Sequence, residues 1–175
     1  NWIPRSLCLD NFTYAWTLLG YPRHFAVSCL LTGTGILLKV LCCSFIGYGF
    51  ARYQFRGRAL LFFFAILSIL MPVQTILLPQ YLIFASLKWT GSYLPLIVPQ
   101  FFGYGLKGGL FIFLFRQFFL NMPRSLEEAA RIDGCGPLRT FWRVALPTMR
   151  TSVVVTVVLA MVWHWNDYYE PSIYI

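Results

Sequence analysis

The side chains best spaced for chemistry are His164, Asp167 and Glu170, which recur at three-residue intervals near the end of the chain. An imidazole and two carboxylates at this spacing are able to bind a metal ion or to exchange protons. Such groups beside a long apolar run more often meet water or a neighbouring protein. The five cysteines form no C-x-x-C pair and fall mostly in or beside apolar runs, as buried cysteine does. We therefore expect no metal site and no catalytic centre.

A glycine-rich stretch, GYGLKGG at 103–109, is the second place to look for chemistry. It lacks the Lys-Ser/Thr ending of a phosphate-binding loop and lies inside an apolar run, so we expect that this chain does not hydrolyse ATP. Its four glycines and Lys107 instead predict a weakened or broken helix, which membranes tolerate where the backbone lines a cavity or is buried in protein. Close helix packing by small residues is the alternative.

The composition indicates an integral membrane protein, because 58% of the residues are hydrophobic and only 11% are charged. Four apolar runs, at 26–50, 59–84, 94–119 and 151–165, are candidates to cross a bilayer, which takes about 20 helical residues. Helices satisfy their own backbone groups in lipid, so the predicted fold is an all-α polytopic transmembrane bundle. The chain begins at Asn1 without a leader and ends in an apolar stretch, which predicts a fragment of a longer subunit.

Basic residues predict the orientation of this bundle in a cytoplasmic membrane. Arg52, Arg56 and Arg58 follow the first run, and a second group of arginines lies around the segment 121–147. Since Lys and Arg accumulate in short cytoplasmic loops, both basic loops should face the cytoplasm and 1–25 should lie outside. The net charge of +8 then reflects topology, with no nucleic-acid partner.

The segment 121–147 predicts two short cytoplasmic helices. Ser125 and Glu128 fit a capping box, which places the start of the first helix at Leu126. Gly134 suits the left-handed residue that closes a helix, and Pro137 suits the first position of the next one. Pro147 should then kink the chain where the fourth apolar run begins. An apolar stripe on the second helix is formed by Leu138, Phe141, Trp142 and Ala145.

The predicted two-helix hairpin has the features of a docking element. Ala129 and Ala130 give its first helix a flat face that another surface can approach closely. The acidic residues Glu127, Glu128 and Asp133 disfavour anionic lipid and favour a basic or polar protein surface. The alternative is a hairpin that lies on the lipid headgroups.

The spacing of Glu128-Ala129-Ala130, Asp133-Gly134 and Leu146-Pro147 resembles the EAA loop of permease subunits of bacterial ATP-binding-cassette importers. Flanking motifs such as Met71-Pro72 and Trp165-Asn166-Asp167 are similar to the carbohydrate-uptake group, which includes the smaller permease of maltose systems. The resemblance implies a type I importer permease whose first and last spans are missing here. It also implies alternating access, in which solute crosses by binding-protein-dependent transport in the inner membrane. The ATPase-coupling residues would be Glu128, Ala129, Ala130, Asp133, Gly134, Leu146 and Pro147.

The resemblance also implies the partners. These are a cytoplasmic ATPase dimer that binds ATP and Mg, a different second permease, an extracytoplasmic solute-binding protein and membrane lipid. The chain itself would bind no cofactor. The solute would be a sugar or oligosaccharide, with glycerol phosphate or another polar solute as the alternative. A polytopic membrane protein unrelated to ATP-driven transport is the more distant alternative.

Polar residues inside the apolar runs are candidates for a solute pathway. The amides of Gln74, Gln80, Gln100 and Asn166 are able to hydrogen-bond a polyhydroxyl solute, although glutamines also join helices together. Lys39 lies near the centre of the first run and should face a cavity or a partner, because exposure to lipid is costly. If it faces the pathway, an anionic solute becomes more plausible.

Overall fold

The computed structural model describes residues 10–105 and 107–175, and all regular structure in these ranges is helical. The all-α prediction is confirmed. Residues 1–9 of the predicted external segment and Leu106 lie outside the described ranges. The helices are α1 (Asp10–Leu18), α2 (Tyr21–Leu38), α3 (Ser44–Arg52), α4 (Arg58–Leu70), α5 (Val73–Ser86), α6 (Leu94–Phe101), α7 (Gly108–Asn121), α8 (Ser125–Ile132), α9 (Pro137–Thr140), α10 (Leu146–Thr148), α11 (Arg150–Trp165) and α12 (Tyr169–Tyr174).

The first apolar run forms one continuous helix, Tyr21–Arg52, which is 32 residues long and able to cross a membrane by itself. Pro22 lies in its first turn, where proline's missing N–H is not needed. A π-helical turn at Lys39–Cys43 joins α2 to α3. Such single-turn bulges add a residue to a helix and are frequent at functional sites.

The second apolar run is sharply bent rather than straight. The axes of α4 and α5 differ by 109°. The bend lies at Met71 and Pro72, where Met71 is extended because proline disfavours a helical residue before it. Pro72 accounts for this bend, whereas Pro79 lies inside α5.

The third apolar run is broken into α6 and α7. Gly103, Gly105 and Lys107 adopt left-handed conformations between the two helices, with φ of 69°, 91° and 56°. The alternative prediction for these glycines, that they allow helices to pack closely, is also confirmed. A Cβ at Gly109 would collide with the Ala65 carbonyl oxygen of α4. The glycine-rich stretch therefore breaks one helix and lets the next approach its neighbour.

The fourth run joins the cytoplasmic segment through a bend of 77° between Pro137–Thr148 and Arg150–Trp165. The kink that was predicted at Pro147 lies two residues later, at Met149. Pro147 sits in the first turn of α10, a position where a helix tolerates proline. If each bent pair counts as one span, up to three helical spans are present among the described residues.

The core lies where α3, α7 and α11 meet. Its centre is aromatic, with Phe111, Phe115 and Phe119 of α7 fully buried. Ala160 and Thr156 of α11 are buried on the same side of the bundle. Packing and small residues, rather than exclusion of water, drive helix association in lipid, and this core uses both large rings and small side chains. A smaller cluster of Phe84, Leu96 and Tyr174 fixes α12 near α6.

Candidate coupling hairpin and solute cavity

The first hairpin helix, α8, begins at Ser125, one residue before the predicted start. The predicted capping box is wrong, because Arg124 occupies the N-cap and no side chain caps the helix there. The Arg124 carbonyl oxygen accepts from the backbone N–H groups of Glu127 and Glu128 instead. At the other end the prediction for Gly134 is confirmed, since its φ is 76°.

Backbone hydrogen bonds show how Gly134 closes α8. The N–H of Cys135 donates to the carbonyl oxygen of Ala130 at 2.8 Å, and that of Gly134 donates to Arg131 at 3.0 Å. This pair of bonds is the Schellman arrangement, which needs a left-handed residue at the glycine position. Pro137 then opens α9 as predicted.

The two faces of α8 differ from the predicted ones. Glu127 and Ala130, three residues apart, are buried, while Glu128, Ala129 and Asp133 are exposed. The expected flat pair of alanines is therefore divided, because Ala130 faces the protein's own interior. The expected acidic face likewise loses Glu127. Both corrections follow from the three-residue helical spacing, which turns Glu127 and Ala130 to the same side.

The second hairpin helix is anchored in the core. Phe141 and Ala145, in a π-helical turn after α9, are fully buried. The ring centroid of Phe141 lies 5.2 Å from that of Tyr48 in α3 and 6.3 Å from that of Phe119 in α7. Leu138 and Trp142, which were predicted in the same apolar stripe, remain largely exposed.

The exposed surface of the hairpin is mixed in character. At its tip Ile132 is 87% exposed, and Leu138 adds a second apolar side chain. Glu128, Ala129, Asp133, Gly134 and Pro147 of the predicted coupling set are exposed, while Leu146 is half-buried. A protruding surface with apolar side chains and charges of both signs is suited to a cleft in another protein.

A cavity of about 640 Å³ lies at the opposite end of α11 from the hairpin. Its volume falls in the range of small-molecule binding sites. Its lining includes Thr32 of α2, Gln100 of α6, His164 of α11, Asp167 and Glu170. The Gln100 Nε2 donates to the Leu96 carbonyl oxygen at 2.6 Å. In contrast, Gln100 Oε1 and His164 Nε2 have no hydrogen-bond partner among the described residues.

Only one of the four predicted pathway residues lies in this cavity. Gln100 lines it, and Gln80 lines a second cavity of about 60 Å³ that also contacts Glu170. Gln74 is exposed and lines neither cavity. Asn166 lines neither cavity, and its Nδ2 donates to the Val162 carbonyl oxygen of its own helix at 2.7 Å. Neither residue lies in a cavity of this chain, and their place in a solute pathway stays a prediction. The sequence analysis also missed Thr32, which is buried on α2.

Lys39 is fully buried in the π-helical turn and lines neither cavity. Its Nζ donates to the carbonyl oxygen of Tyr104 at 3.2 Å, in the break between α6 and α7. The ammonium group therefore satisfies a carbonyl that the broken helix leaves without its own partner.

Comparison with known proteins assigns this architecture to a family. Residues 43–175 match the model of a family described as the binding-protein-dependent transport system inner membrane component. The chain belongs to this permease family. The matched range contains the hairpin, the broken α6–α7 run and most of the cavity lining, but begins after Lys39. The family description places its members in the inner membrane.

Individual relatives within the permease family cover nearly all of the chain. It is 31% identical over 171 residues to the arabinooligosaccharides transport system permease protein AraQ of Halalkalibacterium halodurans, which covers 97% of this chain and 60% of that protein. It is 30% identical to the probable starch degradation products transport system permease protein AmyC of Thermoanaerobacterium thermosulfurigenes, covering 99% of this chain and 62% of that protein. It is 33% identical to the sn-glycerol-3-phosphate transport system permease protein UgpE of Yersinia pestis, covering 90% of this chain and 59% of that protein. The chain thus spans about three fifths of the length of these relatives.

A solved structure confirms the permease fold. A chain of a bacterial ABC transporter that imports the acidic polysaccharide alginate superposes with a TM-score of 0.74. The match covers 86% of this chain and 51% of that one, at 22% sequence identity. At this identity the likeness carries the fold alone.

Proposed function

We propose that this chain is the translocation subunit of an ATP-driven, binding-protein-dependent importer of sugars or oligosaccharides. A cytoplasmic ATPase dimer would bind ATP and Mg and receive the hairpin. A different second permease would complete the pathway, and an extracytoplasmic binding protein would deliver the solute. The names of the AraQ and AmyC relatives support the solute class, and family membership supports the type of assembly.

The observation that carries this proposal is the path of α11. This helix begins at Arg150, immediately after the hairpin, and ends at Trp165 in the cavity wall. Its 16 residues span about 24 Å. A displacement of the hairpin by an ATPase is therefore transmitted along one helix to the surface that contacts solute. Conformational coupling of this kind needs a physical element that both sites move.

The chemistry of the cavity favours a neutral polyhydroxyl solute. Gln100 and His164 lie in the cavity lining, and neutral amide and imidazole groups are suited to hydrogen-bond hydroxyl groups. Two carboxylates, of Asp167 and Glu170, lie in the wall against the single guanidinium of Arg23. Because carboxylates outnumber the guanidinium in the cavity wall, the cavity disfavours a negatively charged phosphate ester. Glycerol phosphate remains the second candidate because of the 33% identity with UgpE.

The test is reconstitution of the complete subunit with its co-expressed partners in lipid vesicles. Binding protein loaded with a neutral oligosaccharide should stimulate ATP hydrolysis and solute uptake. Binding protein loaded with glycerol phosphate should not. Stimulation by glycerol phosphate alone would reverse the solute assignment, and stimulation by neither would refute the proposed transport role.

A charge reversal on the hairpin tests the proposed docking to the ATPase separately. Glu128→Lys should reduce the amount of ATPase that co-purifies with the permease, because it reverses an exposed charge on the hairpin. Asp10→Lys is the matched control, since Asp10 is also exposed but lies on α1, away from the hairpin. Equal co-purification for both variants would exclude Glu128 from the contact.

A further inference from the structure

One buried ion pair ties the hairpin to the membrane bundle. The Nε of Arg52, the last residue of α3, lies 2.8 Å from the Oε1 of Glu127 in α8. Both side chains are at least nine-tenths buried. No other ion pair is found within 10–105 and 107–175. The pair therefore joins the first membrane helix to the hairpin by a charge contact across a large separation in the sequence.

The same guanidinium also binds the end of a third helix. Arg52 donates through Nη2 to the carbonyl oxygen of Met122 at 2.6 Å. Met122 follows the last residue of α7 and is buried. One side chain thus holds α3, the end of α7 and the start of α8 at a single point.

Because the ion pair is buried, the folded structure is sensitive to the loss of either charge. Neither Arg52 Nε nor Glu127 Oε1 has another polar partner among the described residues, so each charge depends on the other for compensation. The hydroxyl of Tyr48, one turn before Arg52 on α3, lies beside Glu127. Removing one member of such a pair leaves an uncompensated buried charge, whereas replacing both with apolar residues is often tolerated.

The pair also determines which face of α8 is presented to a partner. Glu127 points into the protein, and Glu128, the next residue, is exposed. The other attachment of the hairpin is apolar packing around Phe141, which has no directional groups. A charge pair fixes one rotation of α8 about its axis, as buried polar pairs fix register in other helical assemblies.

From these contacts we propose that the cluster of Arg52, Glu127 and the Met122 carbonyl is a positioning latch. It holds α8 rigidly on α3, so that movement imposed on the exposed Glu128 surface displaces the membrane helices rather than the hairpin alone. The role in coupling rests on the proposed transport function, while the structural role of the latch does not. Arg52 and Glu127 are positioning residues, because neither contacts the solute cavity.

The coupling test compares four variants in the reconstituted complex. Glu127→Gln and Arg52→Gln should each reduce the solute moved per ATP hydrolysed about tenfold, a value within the usual range for coupling between sites. The ATPase should still co-purify, since Glu128 remains. The double variant Arg52→Met/Glu127→Leu removes both charges, so it should melt at a higher temperature than either single variant and still be uncoupled. Arg56→Gln, an exposed arginine in the following loop, is the control with normal coupling.

A second measurement needs no transport activity. Trypsin cleavage at the hairpin arginines, followed on the purified subunit, should be about tenfold faster in Glu127→Gln than in the wild type or in Arg56→Gln, because exposed and loosened backbone is cleaved first. Wild-type coupling in a folded double variant would overturn the latch, and so would unchanged cleavage in Glu127→Gln. The two proposals can fail separately. If the wild-type complex does not transport solute but Glu127→Gln is still cleaved faster, the proposed function is refuted and the structural role of the latch is supported.

Discussion

Gly47 is where α3 and α7 come closest, and it offers a quantitative test of the fold. A Cβ built on Gly47 would lie 2.7 Å from the Cβ of Phe115, 3.0 Å from the backbone N of Arg116 and 3.1 Å from the carbonyl oxygen of Ile112. Carbon atoms in contact normally lie 3.5 to 4.0 Å apart, so Gly47→Ala requires the two helices to separate by about 1 Å. Two of the three obstructing atoms belong to the backbone, which a rotamer change cannot move.

The free-energy cost of separating α3 from α7 is compared with that of the same substitution at Gly49, on the same helix. Overpacking a core costs about 1–3 kcal/mol, and the backbone contacts place Gly47→Ala at the upper end, about 2–3 kcal/mol. Gly49 lies two residues along α3 with nothing within 4 Å of its Cβ position. Alanine replaces glycine in both variants, so the gain in helix propensity of about 0.8–1 kcal/mol cancels in the difference. The difference corresponds to a change of roughly 30- to 150-fold in the folding equilibrium.

The assay is denaturant unfolding of the purified subunit in detergent micelles, followed by fluorescence of its six tryptophans. Gly47→Ala should unfold at a lower midpoint than the wild type, and Gly49→Ala at an equal or higher one. A difference between the two alanine variants below about 0.5 kcal/mol, the usual scatter between independent sites, would refute the close approach of α3 and α7.

Two predictions concern the polar residues within the membrane bundle. Gln100→Leu should raise the concentration of loaded binding protein needed for half-maximal ATP hydrolysis, because the cavity loses a group that hydrogen-bonds the solute. Gln74 lies outside both cavities, so Gln74→Leu should leave this concentration unchanged. Equal effects of the two variants would exclude Gln100 from the pathway. Lys39→Met should lower the melting temperature of the subunit, because the Tyr104 carbonyl oxygen loses its donor. Lys88→Met, at an exposed lysine, should leave the melting temperature unchanged, and equal melting of the two variants would count against this hydrogen bond.

Local backbone chemistry explains which features of the fold were predictable from the sequence. Gly134 closes α8 in the left-handed conformation and Pro137 opens α9, each at its predicted position, and Pro72 bends the second run by the same local chemistry. The break at the glycine-rich stretch follows the same logic. These outcomes depend on φ preferences and on the missing N–H of proline, which act within a few residues of the chain.

Long-range contacts explain what sequence reasoning missed. Glu127 and Glu128 are neighbours of the same type, and only the position of Arg52 decides that Glu127 is buried. Phe141 is buried rather than exposed with Trp142 because the rings of α3 and α7 surround it. No local pattern distinguishes such pairs. The available signal was Arg52, a basic residue at the end of the first apolar run. Because Arg52 also fits the positive-inside rule, its presence was interpreted as evidence for membrane orientation.

The positions of these contacts indicate how movement of the hairpin would spread through the bundle. The hairpin leads directly into α11, which reaches the cavity at His164. It is also fixed to α3 at Arg52, and α3 continues through the π-helical turn to Lys39, which holds the Tyr104 carbonyl in the broken run. Two separate routes therefore lead from the hairpin, one to the cavity wall at His164 and one to the break between α6 and α7. Because α11 still packs on α2 and α7 when the Arg52 latch is lost, the bundle should stay folded, but the hairpin would no longer move α3 together with α11, so we expect transport to be uncoupled.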